Sequence, residues 1–513
     1  MRKFTATITA LFLLVLVTLG YRTVKTSTSN ASPMATAPAT SIPVPSGTGL
    51  DGYYKQTLNW KDCKEGFQCS TLSVPLDYAN PAARAISISV VRLKATGTSH
   101  GSLVVNPGGP GGSGIEYARA AQYIMSKTLL ENFDLVGFDP RGVGTSTPVH
   151  CLSAKQTDEF IAADGSPDNQ AEIDISVALS KELADTCATN SPDIYAFLDT
   201  VSAARDVDIL RAALGDKKLN WFGKSYGTFL GATYADLFPT LVGRMMLDGA
   251  IDPTLSNEEM SKGQALGFEN ALHRFVNDCP KHNDCPLKAA GDAGVKEISD
   301  FLIYLDANPG KLADGRDFTQ AMGVLGVVGS LYDKVYGWAE LRTNLATAFR
   351  HDYSALATSV DLYTSRNKNG TYSDNSNDAI SAVNCLDRPD RATEAQTISL
   401  AKAWKLEAPN FGEYLAWGNL GCTYWQASAT GAPKKISAPG SPTILVVGTI
   451  NDPATPYVWA KALASQLSKG VLLTFNGDGH TAYFQGSKCI DKAVDNYFLT
   501  GNIAAGITCA DGP

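Results

Sequence analysis

The chain has no run of five or more Lys or Arg, and its 43 Lys+Arg are outnumbered by 51 Asp+Glu, giving a formal charge of −8. A basic stripe for a phosphate backbone is missing, so no nucleic-acid partner is expected. Past the N-terminus no apolar stretch is long enough to cross a bilayer, which excludes a polytopic membrane protein. None of the 10 cysteines stands in a CxxC pair or beside a His pair. Zinc-site spacing is therefore lacking, and neither a metal nor a cofactor is expected. Histidine is scarce, with 6 in 513 residues, so imidazole chemistry has few candidates. Charged residues are only 18% against 44% hydrophobic, which excludes a disordered chain or a coiled coil.

At the N-terminus Arg2 and Lys3 precede an uncharged stretch over 4–21, whose centre at 10–19 is rich in Leu and Val. A short basic start before a short apolar core predicts export, as a cleaved signal or a retained anchor within 1–31. Ser29-Asn30-Ala31 is a candidate cleavage site, and the first 62 residues offer no Cys for a lipid anchor. Any membrane association is expected through this segment alone. Residues 32–50, rich in Thr, Ser, Ala and Pro, are expected as a flexible linker. An even set of cysteines agrees with a secreted or cell-surface location. The simplest pairing joins neighbours: Cys63–Cys69, Cys151–Cys187, Cys279–Cys285, Cys385–Cys422 and Cys489–Cys509.

Short β-branched apolar runs at 86–93, 102–105, 133–138, 219–222, 244–247, 443–447 and 471–475 predict buried strands. Helical patterns at 200–214, 228–237 and 458–467 alternate with them, which predicts an α/β fold with a mainly parallel sheet and helices on both faces. Between about 250 and 443 the pattern is helical instead, at 258–277, 295–305, 318–332, 338–350 and 393–405. The polar stretch 366–377 is expected as a loop. The expected organisation is an α/β core in two parts, 51–252 and 436–513, interrupted by a mostly helical cap over 253–435.

The segment Gly223-Lys224-Ser225-Tyr226-Gly227 follows an apolar strand and precedes a helix. That context is what a nucleophile elbow needs: a sharp turn that projects Ser225. A serine hydroxyl requires a base. His100 and His150 precede Ser225, while His273, His282 and His351 fall in the helical region. His480, in the Gly-rich loop after the last strand, is the candidate base under the chain order Ser, acid, His. Asp452, just past the strand at 443–447, is the candidate acid. Asp478 is the alternative, but two residues from the histidine it reads as a turn residue. Asn106-Pro107-Gly108-Gly109-Pro110-Gly111-Gly112 leaves backbone N–H groups unshielded and suits an oxyanion hole, with Gly109 and Tyr226 as donors. Asp139 and Arg141 are expected to brace loops around the site.

Taken together, these segments resemble the α/β-hydrolase superfamily and, within it, secreted tripeptidyl aminopeptidases of the prolyl-aminopeptidase-like group. The matching text includes Ser73-Val74-Pro75-Leu76-Asp77-Tyr78, the Gly-rich loop after Asn106, Gly223-Lys224-Ser225-Tyr226-Gly227-Thr228, Leu247-Asp248-Gly249, Asp452-Pro453-Ala454-Thr455-Pro456 and Gly479-His480-Thr481. The resemblance implies an α/β-hydrolase fold with a cap, a Ser225–Asp452–His480 triad, and peptide substrates cut near a free N-terminus. Relatives of this kind also include esterases, which keeps small acyl substrates as the alternative. An exopeptidase must recognise an ammonium group, and a carboxylate does so best. Glu269 and Asp387 are the candidates for that role.

Overall fold

A computed structural model describes residues 42–510. Twelve strands occur among them: β1 (Lys61–Asp62), β2 (Phe67–Pro75), β3 (Ala85–Leu93), β4 (Ser102–Asn106), β5 (Asp134–Phe138), β6 (Leu219–Lys224), β7 (Val242–Asp248), β8 (Gly310–Lys311), β9 (Asp317–Phe318), β10 (Ile444–Asn451), β11 (Gly470–Asp478) and β12 (Thr508–Cys509). All but the β8–β9 hairpin form one sheet of order β1-β2-β3-β5-β4-β6-β7-β10-β11-β12. Pairing is antiparallel from β1 to β5 and parallel from β5 to β12.

Successive side chains on the central strands enter opposite cores. Val104, Trp221 and Val446 join one apolar cluster, and their neighbours Val105, Phe222 and Val447 join the other. Helices on both faces explain why these strands read as continuous apolar runs. The seven expected strands are present to within a few residues. β2 was not expected, because Phe-Gln-Cys-Ser-Thr-Leu-Ser-Val-Pro carries four polar residues and buries only Phe67, Leu72, Val74 and Pro75, as an antiparallel strand near the sheet edge permits.

Between β7 and β10 the helices Asn257–Asp278, Gly291–Ala307, Gln320–Leu331, Gly337–Ala348 and Ser354–Tyr363 enclose an apolar core of their own, around Phe275, Leu302 and Leu341, while Ser376–Asp387 packs on the sheet core and Glu394–Glu407 joins the cluster of Trp404 and Trp417. A capping box of Ser256 and Glu259 starts the first of them and satisfies two otherwise unpaired N–H groups. The helix Ser376–Asp387 begins inside the stretch expected as a loop, and Arg366 bridges Tyr372 just before it.

One expectation about organisation needs correction. The linker reading of 32–50 fails from residue 42 onward: Ile42 bridges Ala85, and Ile42, Val44 and Leu50 pack on the sheet core. The segment 154–190, expected within the core, forms the helices Ala154–Ala162 and Gln170–Asn190, and Leu183, Ala184 and Cys187 of the second join the sheet core. Ile161 and Ala162 pack on the core of the 257–363 helices, and Ile173 and Val177 pack against the cluster of Trp404 and Trp417. Helical patterning after residue 150 was missed because the 21-residue helix Gln170–Asn190 buries only Ser180, Leu183, Ala184 and Cys187. The export segment at 1–31 lies outside the described residues. All ten cysteines are paired, as Cys63–Cys69, Cys151–Cys187, Cys279–Cys285, Cys385–Cys422 and Cys489–Cys509.

Candidate active site

Parallel strands deliver the proposed chemistry to one edge. Ser225 follows β6, Asp452 follows β10 and His480 follows β11, all at carboxyl ends, where open α/β sheets place their ligands. Ser225 has φ +54°, between the strand and the helix Tyr226–Leu237. A non-glycine residue there is strained, and such strain persists only where neighbours over-determine it. Here the Ser225 N–H donates to Asp248 O at 2.9 Å, while its carbonyl accepts from Thr228 N at 2.8 Å and Thr228 Oγ1 at 2.6 Å.

His480 Nδ1 lies 2.9 Å from Asp452 Oδ1 and 3.0 Å from Oδ2. A proton on Nδ1 satisfies this contact and leaves Nε2 as the acceptor. Asp452 is 3% exposed and also accepts from Ala454 N, Thr455 N, Thr481 N and Thr455 Oγ1 at 2.8 to 3.1 Å. These donors fix the carboxylate while the imidazole uses it. The imidazole in turn lies over Gly249: a Cβ there would stand 3.1 Å from His480 Cε1. Gly249 follows Asp248, the partner of Ser225, so serine and imidazole both meet the Asp248-Gly249 segment.

The Gly-rich loop reaches the same point. A Cβ on Gly108 would fall 2.7 Å from Ser225 Cβ and 3.0 Å from Tyr226 N, so only glycine lets the loop come this close. Gly108 N–H is taken by Asn106 Oδ1 at 3.0 Å. Gly109, the next residue, is the donor expected from sequence, beside the Tyr226 N–H at the helix start.

Lys224 and Asp248 form a buried network that the sequence motifs contained without revealing. Lys224 Nζ donates to Tyr483 O at 2.7 Å and Thr481 Oγ1 at 3.3 Å, and lies 3.9 Å from Asp248 Oδ2. Asp248 accepts from Ala482 N and Tyr483 N at 3.0 to 3.1 Å. Burial pushes the Asp248 carboxyl up and the Lys224 ammonium down, each opposed by the other's charge. The pair ties the strand before Ser225 to the chain just after His480.

Other expected roles divide. Asp139 and Arg141 do brace loops, but separately. Asp139 accepts from Ser113 Oγ at 2.5 Å and Thr145 N at 2.9 Å. The fully buried Arg141 makes a bidentate pair with Asp206 at 2.7 Å and donates to Pro75, Leu76 and Phe197 carbonyls. Glu269 accepts from Asn410 N at 3.0 Å and Asn410 Nδ2 at 2.6 Å, inside the helical layer. Asp387 accepts from Thr200 N at 2.7 Å and Thr200 Oγ1 at 2.6 Å, at the start of the helix Thr200–Ala213. Thr200 Oγ1 then meets Tyr226 OH at 2.5 Å. Both carboxylates thus serve the fold, and an ammonium would have to displace these donors. Burial pushes the Asp387 carboxyl up to about 7, against the pull of Arg388 and Thr200. Asp478 does not reach His480; it pairs with Arg274 and Lys334.

Comparison with known proteins fits this geometry. Residues 101–290 match the family model described as alpha/beta hydrolase fold, and 408–509 match that of TAP-like protein. The chain is 37% identical over 470 residues to "Serine protease Hip1" of Mycobacterium tuberculosis, covering 87% of this chain and 89% of that one. It is 36% identical over 464 residues to "Carboxylesterase B" of the same organism, covering 87% and 88%. "Tripeptidyl aminopeptidase" of Streptomyces lividans is 31% identical over 483 residues, covering 88% and 86%. The chain belongs to the TAP-like family of α/β hydrolases.

Proposed function

We propose that this serine hydrolase is a secreted exopeptidase that releases short peptides, tripeptides foremost, from free N-termini. The observation that carries the hydrolytic chemistry is the Asp452–His480 pair set against Gly249, beside the strained Ser225. In the reaction, Ser225 Oγ attacks the scissile carbonyl as His480 Nε2 takes its proton. Asp452 keeps the imidazole oriented and stabilises the imidazolium. The developing oxyanion takes hydrogen bonds from the N–H groups of Gly109 and Tyr226, the step where fixed donors contribute most. His480 then protonates the leaving amine, and water deacylates Ser225 by the same route. Relatives named serine protease and tripeptidyl aminopeptidase support peptide bonds as the target. Five disulfides support an oxidising compartment, and the N-terminal basic and apolar segment supports export.

A second reading, an esterase for small acyl substrates, has the relative named carboxylesterase in its favour. Peptide p-nitroanilides with free and acetylated N-termini, run beside nitrophenyl esters, separate the two. Cleavage of free tripeptide anilides and loss on acetylation are expected. Equal cleavage of both forms would refute the exopeptidase, and turnover of esters alone would leave the esterase.

A further inference from the structure

The loop carrying His480 is held from two sides. On the sheet side stand Asp452, Asp248 and Lys224, as described above. On the other side stand the helices between β7 and β10. The His480 N–H donates to Tyr332 O at 2.7 Å. The Tyr332 ring stands edge-on to the imidazole, with centroids 5.3 Å apart and planes at 87°. Two residues before the histidine, Asp478 is bracketed by Arg274 Nε and by Lys334 Nζ at 3.2 Å. Arg274 lies on the helix Asn257–Asp278, and Lys334 lies just past the helix Gln320–Leu331.

Exposure differs sharply within this cluster. The Asp478 side chain is 7% exposed, whereas Arg274 is 42% and Lys334 33% exposed. The carboxylate lines a cavity of about 220 Å³ that also reaches His480, with its two more exposed cations at the rim. A buried carboxylate that loses its cations is an uncompensated charge and turns toward water. Before Asp478 the chain is tied by Asn451 Nδ2 to Gly477 O at 2.9 Å, whereas between Asp478 and His480 the contact of Gly479 N–H with Asn451 O is long at 3.4 Å, so a shift of Asp478 is passed toward His480.

We infer that Asp478 is a positioning residue: with Arg274 and Lys334 it forms an ionic latch that makes the alignment of His480 depend on docking of the helical layer. The inference rests on His480 being the base, as proposed above. It assigns to the aspartate that reads as a turn residue a role in turnover without contact to substrate. Because the latch acts through the base, its loss lowers kcat and leaves KM nearly unchanged. Because its cations are partly exposed, salt screens it.

The test uses the full chain with Asp478→Asn, Asp478→Glu, Arg274→Gln and Lys334→Met. The measurements are kcat and KM on a tripeptide anilide, or on a nitrophenyl ester should only esters turn over, and the rate of Ser225 labelling by a neutral fluorophosphonate, per titrated site. Each is run at about 0.05 M and about 1 M NaCl, where the screening length falls to about 3 Å. Asp478→Asn is expected to lose about tenfold in kcat and in labelling rate, as a small misplacement of a catalytic group does, with KM within about twofold. Asp478→Glu should recover part of the loss. High salt should slow the wild type and leave Asp478→Asn unaffected. Labelling at the wild-type rate with an unchanged salt response, or a loss confined to KM, would overturn the latch. Should Asp478→Asn fail to fold, the two rim substitutions decide, and wild-type labelling in both would overturn it equally. Turnover surviving in Ser225→Ala would instead sink the triad itself, so the two failures are separable.

Discussion

Gly249 offers a direct measurement of where the imidazole sits. In Gly249→Ala the new methyl would meet Thr481 Cγ2 at 2.9 Å, His480 Cε1 at 3.1 Å and Thr455 Oγ1 at 3.1 Å. Carbon atoms rest at about 3.5–4.0 Å, so the imidazole edge must yield by about half an ångström. The backbone cannot easily turn away, since the Gly249 N–H is bonded to Val447 O at 3.1 Å. Its φ of +67° adds a second cost, about 1–2 kcal/mol for a side chain in the left-handed region. Stability should therefore fall by about 2 kcal/mol, and kcat by about 10- to 100-fold through the displaced base. Gly215→Ala is the control: its φ is +82°, and nothing lies within 4 Å of the added methyl. It should share the backbone cost and keep wild-type kcat. Denaturant unfolding gives the first quantity, and kcat per fluorophosphonate-titrated site gives the second. Full kcat in Gly249→Ala, or an equal loss of kcat in Gly215→Ala, would refute the placement of His480 over this turn.

Ser225→Ala should lower turnover by about 10⁴-fold or more while substrate affinity, read by calorimetry, is kept. Lys224→Met should lower stability by about 3 kcal/mol in urea unfolding, because Asp248 stays buried without its cation; adding Asp248→Asn should restore part of it, and an additive further loss would deny the coupling. Asp387 governs a pH effect whose sign is fixed by its raised pKa. Below about pH 4 the carboxyl is protonated in both folded and unfolded chains; between about 4 and 7 only the folded chain keeps the proton, so its contribution to stability is lost as pH rises to about 7. Relative to wild type, Asp387→Asn should gain up to about 4 kcal/mol between pH 4 and pH 8 in urea unfolding, and a constant difference across that range would contradict the burial of this carboxyl.

The parts of the site legible in the sequence share a property: each is announced by local chain geometry. Ser225 is announced by two glycines around a strand–helix turn, His480 by a Gly-rich loop after the last long strand, and the paired cysteines by neighbour order. β4 and β10 were equally legible because burial on both faces leaves Leu103–Val105 and Ile444–Val447 without a polar residue, and β6 was legible through Trp221-Phe222 although Asn220 interrupts its run. What escaped is held by partners distant in sequence. Lys224 reads as one more residue of the elbow, yet its ammonium is spent on Tyr483, 259 positions away. Glu269 and Asp387 look like free acids on helices until Asn410 and Thr200 are brought beside them.

Asp478 shows why such roles resist sequence reasoning even when the residue is noticed. Its neighbours, Gly477 and Gly479, describe a turn, and a turn aspartate ordinarily bonds its own backbone. Nothing local distinguishes that case from a carboxylate held by a distant cation. Arg274 is 204 positions earlier, on a helix whose own pattern explains it as a solvent-facing residue. The insertion that separates β7 from β10 is therefore more than a cover over the strand ends. It supplies Tyr332 O to the His480 N–H and two cations to the loop before it, while Gln264 of its first helix donates to Ala454 O beside Asp452 at 3.1 Å. Asp452 and His480, presented by neighbouring strands of the sheet, are thus each held in register by helices that the sheet does not contain. Sequence change in that layer can then shift the Asp452–His480 pair without touching Ser225, Asp452 or His480.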